Sequence, residues 1–218
     1  MAAIVTNKFR INNSEQFYES FSEASPTVYY LFVGRPQVFS ASTGGGTDSV
    51  PPTPLDNVVD EYMYYRDMIA AKKIATSDVS YAVPRHDWAT GTVYDFYRGD
   101  YGATVNSAVV QTVGGITDPF ATTSKMYVKS SAGNVYKCMW NNAGAASTVE
   151  PTGTTTSEFA TGDSYVWKYM YTLTTTEITS FLTTDFQAVH TDATVSAAAV
   201  DGAVNRYIIA NAGAGYTN

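Results

Sequence analysis

Residues 165–173 read Tyr-Val-Trp-Lys-Tyr-Met-Tyr-Thr-Leu and form the clearest strand pattern in the chain. Val166 and Met170 point to one face of this strand, because side chains alternate between the two faces of a β-strand. Aromatic side chains occupy every second position on the other face: Tyr165, Trp167, Tyr169 and Tyr171. The stretch therefore predicts a strand with an aromatic face.

Further strands are predicted on both sides of this stretch. Residues 125–130 and 134–140 alternate apolar and polar side chains around Ser-Ala-Gly-Asn, which is typical of a β-hairpin. Residues 26–35 contain a continuous apolar and aromatic run at 28–33, which predicts a strand buried on both faces. Shorter strands are predicted at 80–85, 92–97, 105–113 and 206–210.

Helices are predicted at fewer places. Residues 3–10 suggest a short strand or an extended arm, and a short helix follows over 13–23. Thr53-Pro54-Leu55-Asp56 has the pattern of a helix start, and the apolar spacing predicts one long helix over residues 54–73. Thr174–Thr176 caps a short helix through Leu182. Residues 40–53 and 141–163 are predicted loops, so the fold class is mainly β with a few helices (α+β).

Composition limits the possible functions. The 218 residues are 44% hydrophobic and 15% charged, which predicts a folded chain of one large or two modest domains. A net charge of −7 argues against binding nucleic acid or an anionic membrane. The single cysteine, Cys138, allows no internal disulfide. The apolar runs are too short to span a bilayer and no signal peptide is visible, so we expect no membrane insertion.

Catalytic and metal-binding patterns are weak. His86 and His190 are the two histidines, and His86-Asp87 has no second cluster that would complete a metal site. We therefore predict no enzyme, no cofactor and no metal. A carbohydrate-cleaving site built from two carboxylates stays open as an alternative, with candidates in predicted turns: Asp95, Asp100, Glu150, Glu158 and Asp163.

A proline-containing corner stands out at residues 83–88, Val-Pro-Arg-His-Asp-Trp. Pro84 ends a strand, Arg85 and Asp87 can pair across the turn, and Trp88 can pack into a core. The corner either presents Arg85 to a partner or forms a local structural network, and we favour the network.

Seventeen tyrosines suit protein interfaces as well as cores. Large aromatic side chains and arginine dominate the binding energy of many interfaces. The candidate contact residues are Tyr62, Tyr65 and Arg66 on the long helix and Tyr94, Phe96 and Tyr97 in the middle of the chain.

Seven short stretches, taken in order, resemble the baseplate wedge family of T4-type contractile-tailed phages. The two most specific are the corner at 83–88 and Gly-Asp-Ser-Tyr-Val-Trp-Lys-Tyr at 162–169, where Ser164 stands in place of a family glycine. The others lie at 3–10, 17–20, 34–35, 51–58 and 135–138.

The resemblance implies a structural subunit of the virion tail baseplate, assembled in the host cytoplasm without catalysis. It implies β-sandwich-like sheets in two intertwined domains: 1–85, 86–173, and 174–218 returning to the first. It also implies a homodimer that joins other wedge proteins, with six wedges around a hub. Because a Gly-x-Gly-Tyr turn near the last residue normally leads into a strand, we expect a longer gene product. A carbohydrate-binding domain of a tail fibre or spike is the alternative function.

Overall fold

The computed structural model describes residues 7–34, 37–40, 45–51, 53, 68–96, 104–105, 108–109, 124–204 and 207. The chain divides into two compact units, Met1–Ser80 and Tyr81–Asn218. Antiparallel strands dominate the described part of the chain, which confirms the prediction of a mainly β fold with a few helices. No helix in this part is both long and apolar enough to cross a bilayer.

The first unit contains helix α1 (Asn7–Glu19) and a two-stranded sheet of β1 (Tyr29–Gly34) and β2 (Met68–Ile74). The register pairs Tyr29 with Ile74 and Tyr30 with Lys73. A 3-10 turn, Thr76–Asp78, follows β2. The ring of Phe21 lies 5.2 Å from that of Phe17 and 4.8 Å from that of Tyr29, so α1 packs against the Tyr29 end of the sheet.

Three predictions for this unit need correction. Helix α1 begins at Asn7 and ends at Glu19, so the predicted extended arm is helical from Asn7 and the helix predicted at 13–23 is shifted. Ser14, predicted near the start of that helix, lies inside α1 and donates from its hydroxyl to the Arg10 carbonyl one turn earlier (3.0 Å). Strand β1 is confirmed, but its predicted burial is wrong because residues 30–33 are exposed.

The end of the predicted long helix over residues 54–73 is also wrong. Met68–Ile74 forms strand β2 and pairs along β1, and this pairing overrides the helical spacing of the apolar residues. Residues 54–67 of that helix lie outside the described part of the chain.

The second unit is built on a four-stranded antiparallel sheet, and the aromatic strand predicted from the sequence is confirmed as one of its central strands. The strand order is β6-β7-β9-β8, where β6 is Tyr127–Lys129, β7 is Asn134–Asn141, β8 is Phe159–Ala160 and β9 is Tyr165–Thr172. Strands β6 and β7 form the predicted hairpin, whose turn contains Gly133 at φ +81°. The predicted loop at 141–163 contains a 3-10 turn, Asn142–Gly144, as well as β8.

Smaller elements complete this unit. Strand β3 (Tyr81–Pro84) pairs with β10 (Phe186–Val189), and β4 (Thr104–Val105) pairs with β5 (Ala108–Val109). No strand occurs over the described residues of the predicted 92–97 strand, where Thr92 makes a single bridge to Ser147. The predicted helix after Thr174 is confirmed as α2 (Thr175–Ser180), and α3 is Ala193–Ala197. The predicted strand at 206–210 lies outside the described residues except for Tyr207.

The core of the second unit lies on the aromatic face of β9. Trp167 and Tyr165 are fully buried, and their rings stack at 5.4 Å. The cluster is completed by Tyr94, Phe96, Val128, Tyr136, Cys138 and Tyr169. Cys138 is buried in this cluster and forms no disulfide, in line with its prediction as a small apolar group.

The predicted division into 1–85, 86–173 and 174–218 stays a prediction. Strand β10, from the predicted returning segment, pairs with β3 at the end of the predicted first domain. The compact units nonetheless divide the chain after Ser80.

Candidate functional site

The corner at residues 84–88 carries the chain from one sheet to another within the second unit. The amide of Arg85 donates to the Asp185 carbonyl (2.8 Å), which continues the pairing of β3 with the β10 side. Two residues later, Asp87 forms a parallel bridge with Lys129 of β6. The amide of Trp88 donates to the Lys129 carbonyl (2.8 Å), so the corner lies along the edge of the four-stranded sheet.

Three charged side chains fix the backbone of this corner. Asp87 accepts from Arg85 Nε (3.0 Å) and Nη2 (2.5 Å), and Lys129 Nζ lies 3.0 Å from its Oδ1. The remaining Nη1 of Arg85 donates to the Thr183 carbonyl (2.8 Å). The hydrogen bonds from Arg85 lower the pKa of Asp87, and the Lys129 ammonium adds to this effect. Arg85 is engaged inside the chain, which favours the structural interpretation of the corner.

Trp88 extends the network into the loop before β8. Its ring packs against the aromatic core, and its Nε1 donates to Ser147 Oγ (3.1 Å). Ser147 Oγ in turn donates to Asp163 Oδ2 (2.9 Å). This polar chain joins residues that are distant in sequence, and it ends on the turn between β8 and β9.

Asp163 is the hydrogen-bond acceptor that closes this turn. Its Oδ2 also accepts the amides of Thr148 (2.8 Å) and Val149 (3.0 Å). Its Oδ1 accepts the hydroxyl of Thr161 at 2.5 Å. Burial alone would raise the pKa of Asp163, but these donors outweigh burial and lower the pKa to about 2. Asp163 is therefore an ionised structural carboxylate rather than an acid poised to give up a proton near neutral pH.

His86 lies on the inner side of the corner. Its ring is 5.3 Å from that of Tyr127, whose hydroxyl donates to the Pro84 carbonyl (2.8 Å). Burial lowers the pKa of His86, and its Nε2 is buried with no hydrogen-bond partner in the described part of the chain. Asp87 is held by Arg85 and Lys129, so it is committed to the corner rather than to activating this imidazole.

The other chemical candidates are also dispersed or engaged. Glu150 accepts the amide of Ser131 (2.6 Å), and Asp95 accepts the amide of Lys125 (3.0 Å). Among the described residues, no group of three or more His, Cys, Asp or Glu side chains is placed to hold a metal ion. Asp100 lies outside those residues.

The predicted contact residues have a different outcome. Tyr62, Tyr65, Arg66 and Tyr97 lie outside the described part of the chain. Tyr94 and Phe96 are 1% and 2% exposed in the aromatic core, and the Tyr94 ring lies 5.7 Å from that of Trp167. As placed in the folded chain, Tyr94 and Phe96 are core residues rather than surface contacts.

Several corner residues were missed from the sequence. Lys129 and Thr183 bind the corner, and Ser147 links Trp88 to Asp163. These residues lie 42, 98 and 59 positions from their partners, whereas the Arg85–Asp87 pair is two positions apart. Only the short-range pair left a recognisable sequence signal.

The corner falls inside a stretch that matches a known family. The family model described as Bacteriophage T4, Gp8 matches residues 3–123, more than half of the chain. The chain belongs to the Gp8 family. One curated Gp8 relative, the baseplate wedge protein gp8 of Enterobacteria phage T4, is 26% identical over 198 residues. This alignment covers 78% of the chain and 55% of the relative, so the chain spans about half of that relative's length.

Proposed function

We propose that this chain is a structural subunit of a phage tail baseplate and works through stable contacts with other proteins, without catalysis. The observation that carries this proposal is the Gp8 family match over residues 3–123, together with the alignment to a protein named for the baseplate wedge. The corner supports it, since the charged groups in the described part of this site are committed to holding backbone in place.

The second unit has features suited to a rigid subunit. Its core consists largely of aromatic side chains on two long neighbouring strands, with Tyr136 paired to Tyr169 and Cys138 to Trp167. Close-packed interiors of this kind transmit force and resist compression. A subunit of a large assembly needs such a body to hold its contact surfaces at fixed spacing.

We further propose that the chain forms a homodimer and joins other wedge proteins in the virion tail, after assembly in the host cytoplasm. Permanent interfaces of this kind are large and apolar. Sedimentation equilibrium of the purified chain tests whether it is a dimer. A dimer would have twice the chain mass of 23.6 kDa. A monomer at all accessible concentrations contradicts this part while leaving the baseplate role untouched.

The baseplate role is tested by a nonsense mutation in the gene within its parent phage, with a plasmid copy as the control. We expect filled heads without complete tails in electron micrographs, and restoration by the plasmid. Normal contractile tails in the mutant would contradict the proposal. Turnover of host polysaccharide by the purified chain would instead favour a carbohydrate-cleaving domain.

A further inference from the structure

Both faces of the β1–β2 sheet carry exposed apolar side chains: Leu31 and Val33, on the face of Tyr29, are 60% and 61% exposed. The face of Tyr30 and Phe32 differs in that it also carries Lys73. Directly opposed residues of an antiparallel pair share a face, so Tyr30 lies beside Lys73 and Phe32 beside Ala71. Tyr29 belongs to the other face, where its ring contacts those of Phe17 in α1 and of Phe21 just after α1. We call Tyr30, Phe32, Ala71 and Lys73 the open face.

The open face is exposed to an extent unusual for side chains of this size. Tyr30 is 63% exposed and Phe32 is 43% exposed. Ile69, at the β-bulge beside this face, is 63% exposed. A two-stranded sheet is marginally stable by itself and normally gains stability by burying an apolar face. Contiguous exposed apolar side chains of this kind mark contact surfaces.

Charge indicates what covers the open face. The neighbouring Lys72 is on the other face and pairs with Asp78 at 2.5 Å. Within the described part of the chain, Lys73 has no carboxylate or hydrogen-bond acceptor for its ammonium group, and neither β1 nor β2 contains an acidic residue. A complementary surface therefore carries apolar side chains and a carboxylate.

A second copy of the chain fits this requirement poorly. Packing the open face against itself would bring two Lys73 ammonium groups into one contact without a carboxylate on either side. Like charges brought together during burial weaken an association and act against that partner.

We propose that the open face binds an acidic amphipathic segment of a partner protein. Apolar side chains of that segment cover Tyr30 and Phe32, and one of its carboxylates pairs with the Lys73 ammonium. This inference rests on the proposed function only in that the chain acts by binding other proteins.

Two labelled peptides of about 15 residues, long enough to form a helix, serve as probes. One contains Leu, Ala and Glu with a single apolar face, and the other replaces each Glu with Lys. Fluorescence anisotropy with the whole chain measures both affinities at about 0.15 M salt, where the net charge of −7 is screened beyond about 8 Å. We expect the acidic peptide to bind at least about fivefold more tightly than the basic one, since several exposed charges contribute weakly but together.

Matched variants locate the binding. Tyr30→Ser combined with Phe32→Ser should weaken acidic-peptide binding by at least about tenfold, because these residues supply most of the apolar contact. Lys73→Gln should weaken it by roughly two- to fivefold, as expected for an exposed ion pair. Lys72→Gln, the same change on the other face, and Val200→Ser in the second unit should leave binding unchanged. Circular dichroism verifies that each variant is folded.

Four outcomes would overturn the inference. These are equal binding of the two peptides or none at millimolar concentration, unchanged binding by the Tyr30 and Phe32 double variant, or self-association that the double variant abolishes. The last would assign the open face to a second copy. If the natural chain does not bind the acidic peptide, yet its plasmid copy restores tails to the nonsense mutant, this inference is removed and the proposed function stays intact.

Discussion

At the residue scale, Asp163 makes the clearest prediction about pH. Its folded pKa is about 2, below the ordinary value of about 3.9 for an unfolded chain. A lowered carboxylate pKa stabilises the fold fully above the unfolded value, and that stabilisation is lost as the pH falls from about 4 toward 2. Because the side chain is only partly buried, we expect a contribution of about 1–2 kcal/mol after allowing for solvent screening.

Asp163→Asn tests this contribution. The variant should be less stable than the natural chain by about 1–2 kcal/mol at pH 6, and the difference should shrink to near zero by about pH 2. Urea unfolding at a series of pH values measures the free-energy difference. A difference that stays constant across this range would contradict the role of the ionised carboxylate.

Trp88 tests whether the corner is tied to the core. Trp88→Ala should lower the free energy of unfolding by about 2–4 kcal/mol, somewhat less than for a fully buried tryptophan. Trp88→Phe keeps a ring but removes the hydrogen bond to Ser147, so it should cost about 1 kcal/mol. Denaturant midpoints measure both changes. If the alanine variant is as stable as the natural chain, Trp88 does not pack against the core.

Ser164 has a backbone conformation that glycine adopts more easily. Its φ is +64°, in the left-handed region that L-residues other than glycine rarely adopt. Ser164→Gly should stabilise the chain by roughly 0.5–1 kcal/mol by relieving steric strain. Gly91→Ala, at φ +81° with no neighbouring atom in the way, should destabilise it by a similar amount. Thermal unfolding of both variants measures these stability changes, which should be opposite in sign.

At the element scale, the two parts of the chain bury their strands very differently. Tyr165, Trp167, Tyr169 and Tyr171 of β9 are buried, whereas residues 30–33 of β1 are exposed. Local stability follows the number of buried contacts around a hydrogen-bonded backbone. We therefore expect amide hydrogen exchange to be slower in β7 and β9 than in β1 and β2 by at least about a hundredfold, since about 1.4 kcal/mol corresponds to each factor of ten.

Mass spectrometry of peptides after timed exchange measures this difference. Equal protection of the two strand pairs would show that β1 and β2 are stabilised by contacts other than those described within the first unit. The acidic peptide, added in excess, is a direct control because it should slow exchange in β1 and β2 alone.

The same elements show what the sequence could and could not predict. Strand β9 was predictable because its aromatic period of two is local and strong. Thr174 was predictable as a cap because its hydroxyl accepts the Glu177 amide three residues later. Strand β2 was mistaken for the end of a helix because its partner β1 lies about forty residues away, and strand propensity depends on such pairing.

The exposure of β1 to solvent also could not be predicted from its local sequence pattern. A run such as Tyr-Tyr-Leu-Phe-Val predicts burial, since apolar residues normally avoid water. Whether a layer covers the strand is decided by tertiary structure and by partners, and neither leaves a periodic signal. The corner shows the same dependence on tertiary structure. Its short-range Arg85–Asp87 ion pair was predicted, whereas its contacts with Lys129 and Thr183 were missed because those residues are distant in sequence.

At the scale of the whole molecule, the second unit has a close-packed aromatic core, and the chain belongs to a family whose T4 relative is named as a baseplate wedge protein. A structural role explains the polar network of the corner, where the ionised groups hold backbone and core together. An exposed apolar face in the first unit fits a subunit that acquires part of its burial on assembly.

Quantitative mass spectrometry of baseplates purified from the parent phage determines whether this chain is a structural baseplate subunit. We expect peptides from this chain at a fixed whole-number ratio to the other baseplate proteins, and we expect the ratio to survive high salt. Absence of the chain from purified baseplates, while it accumulates as a free protein in infected cells, would rule out a structural role in the baseplate.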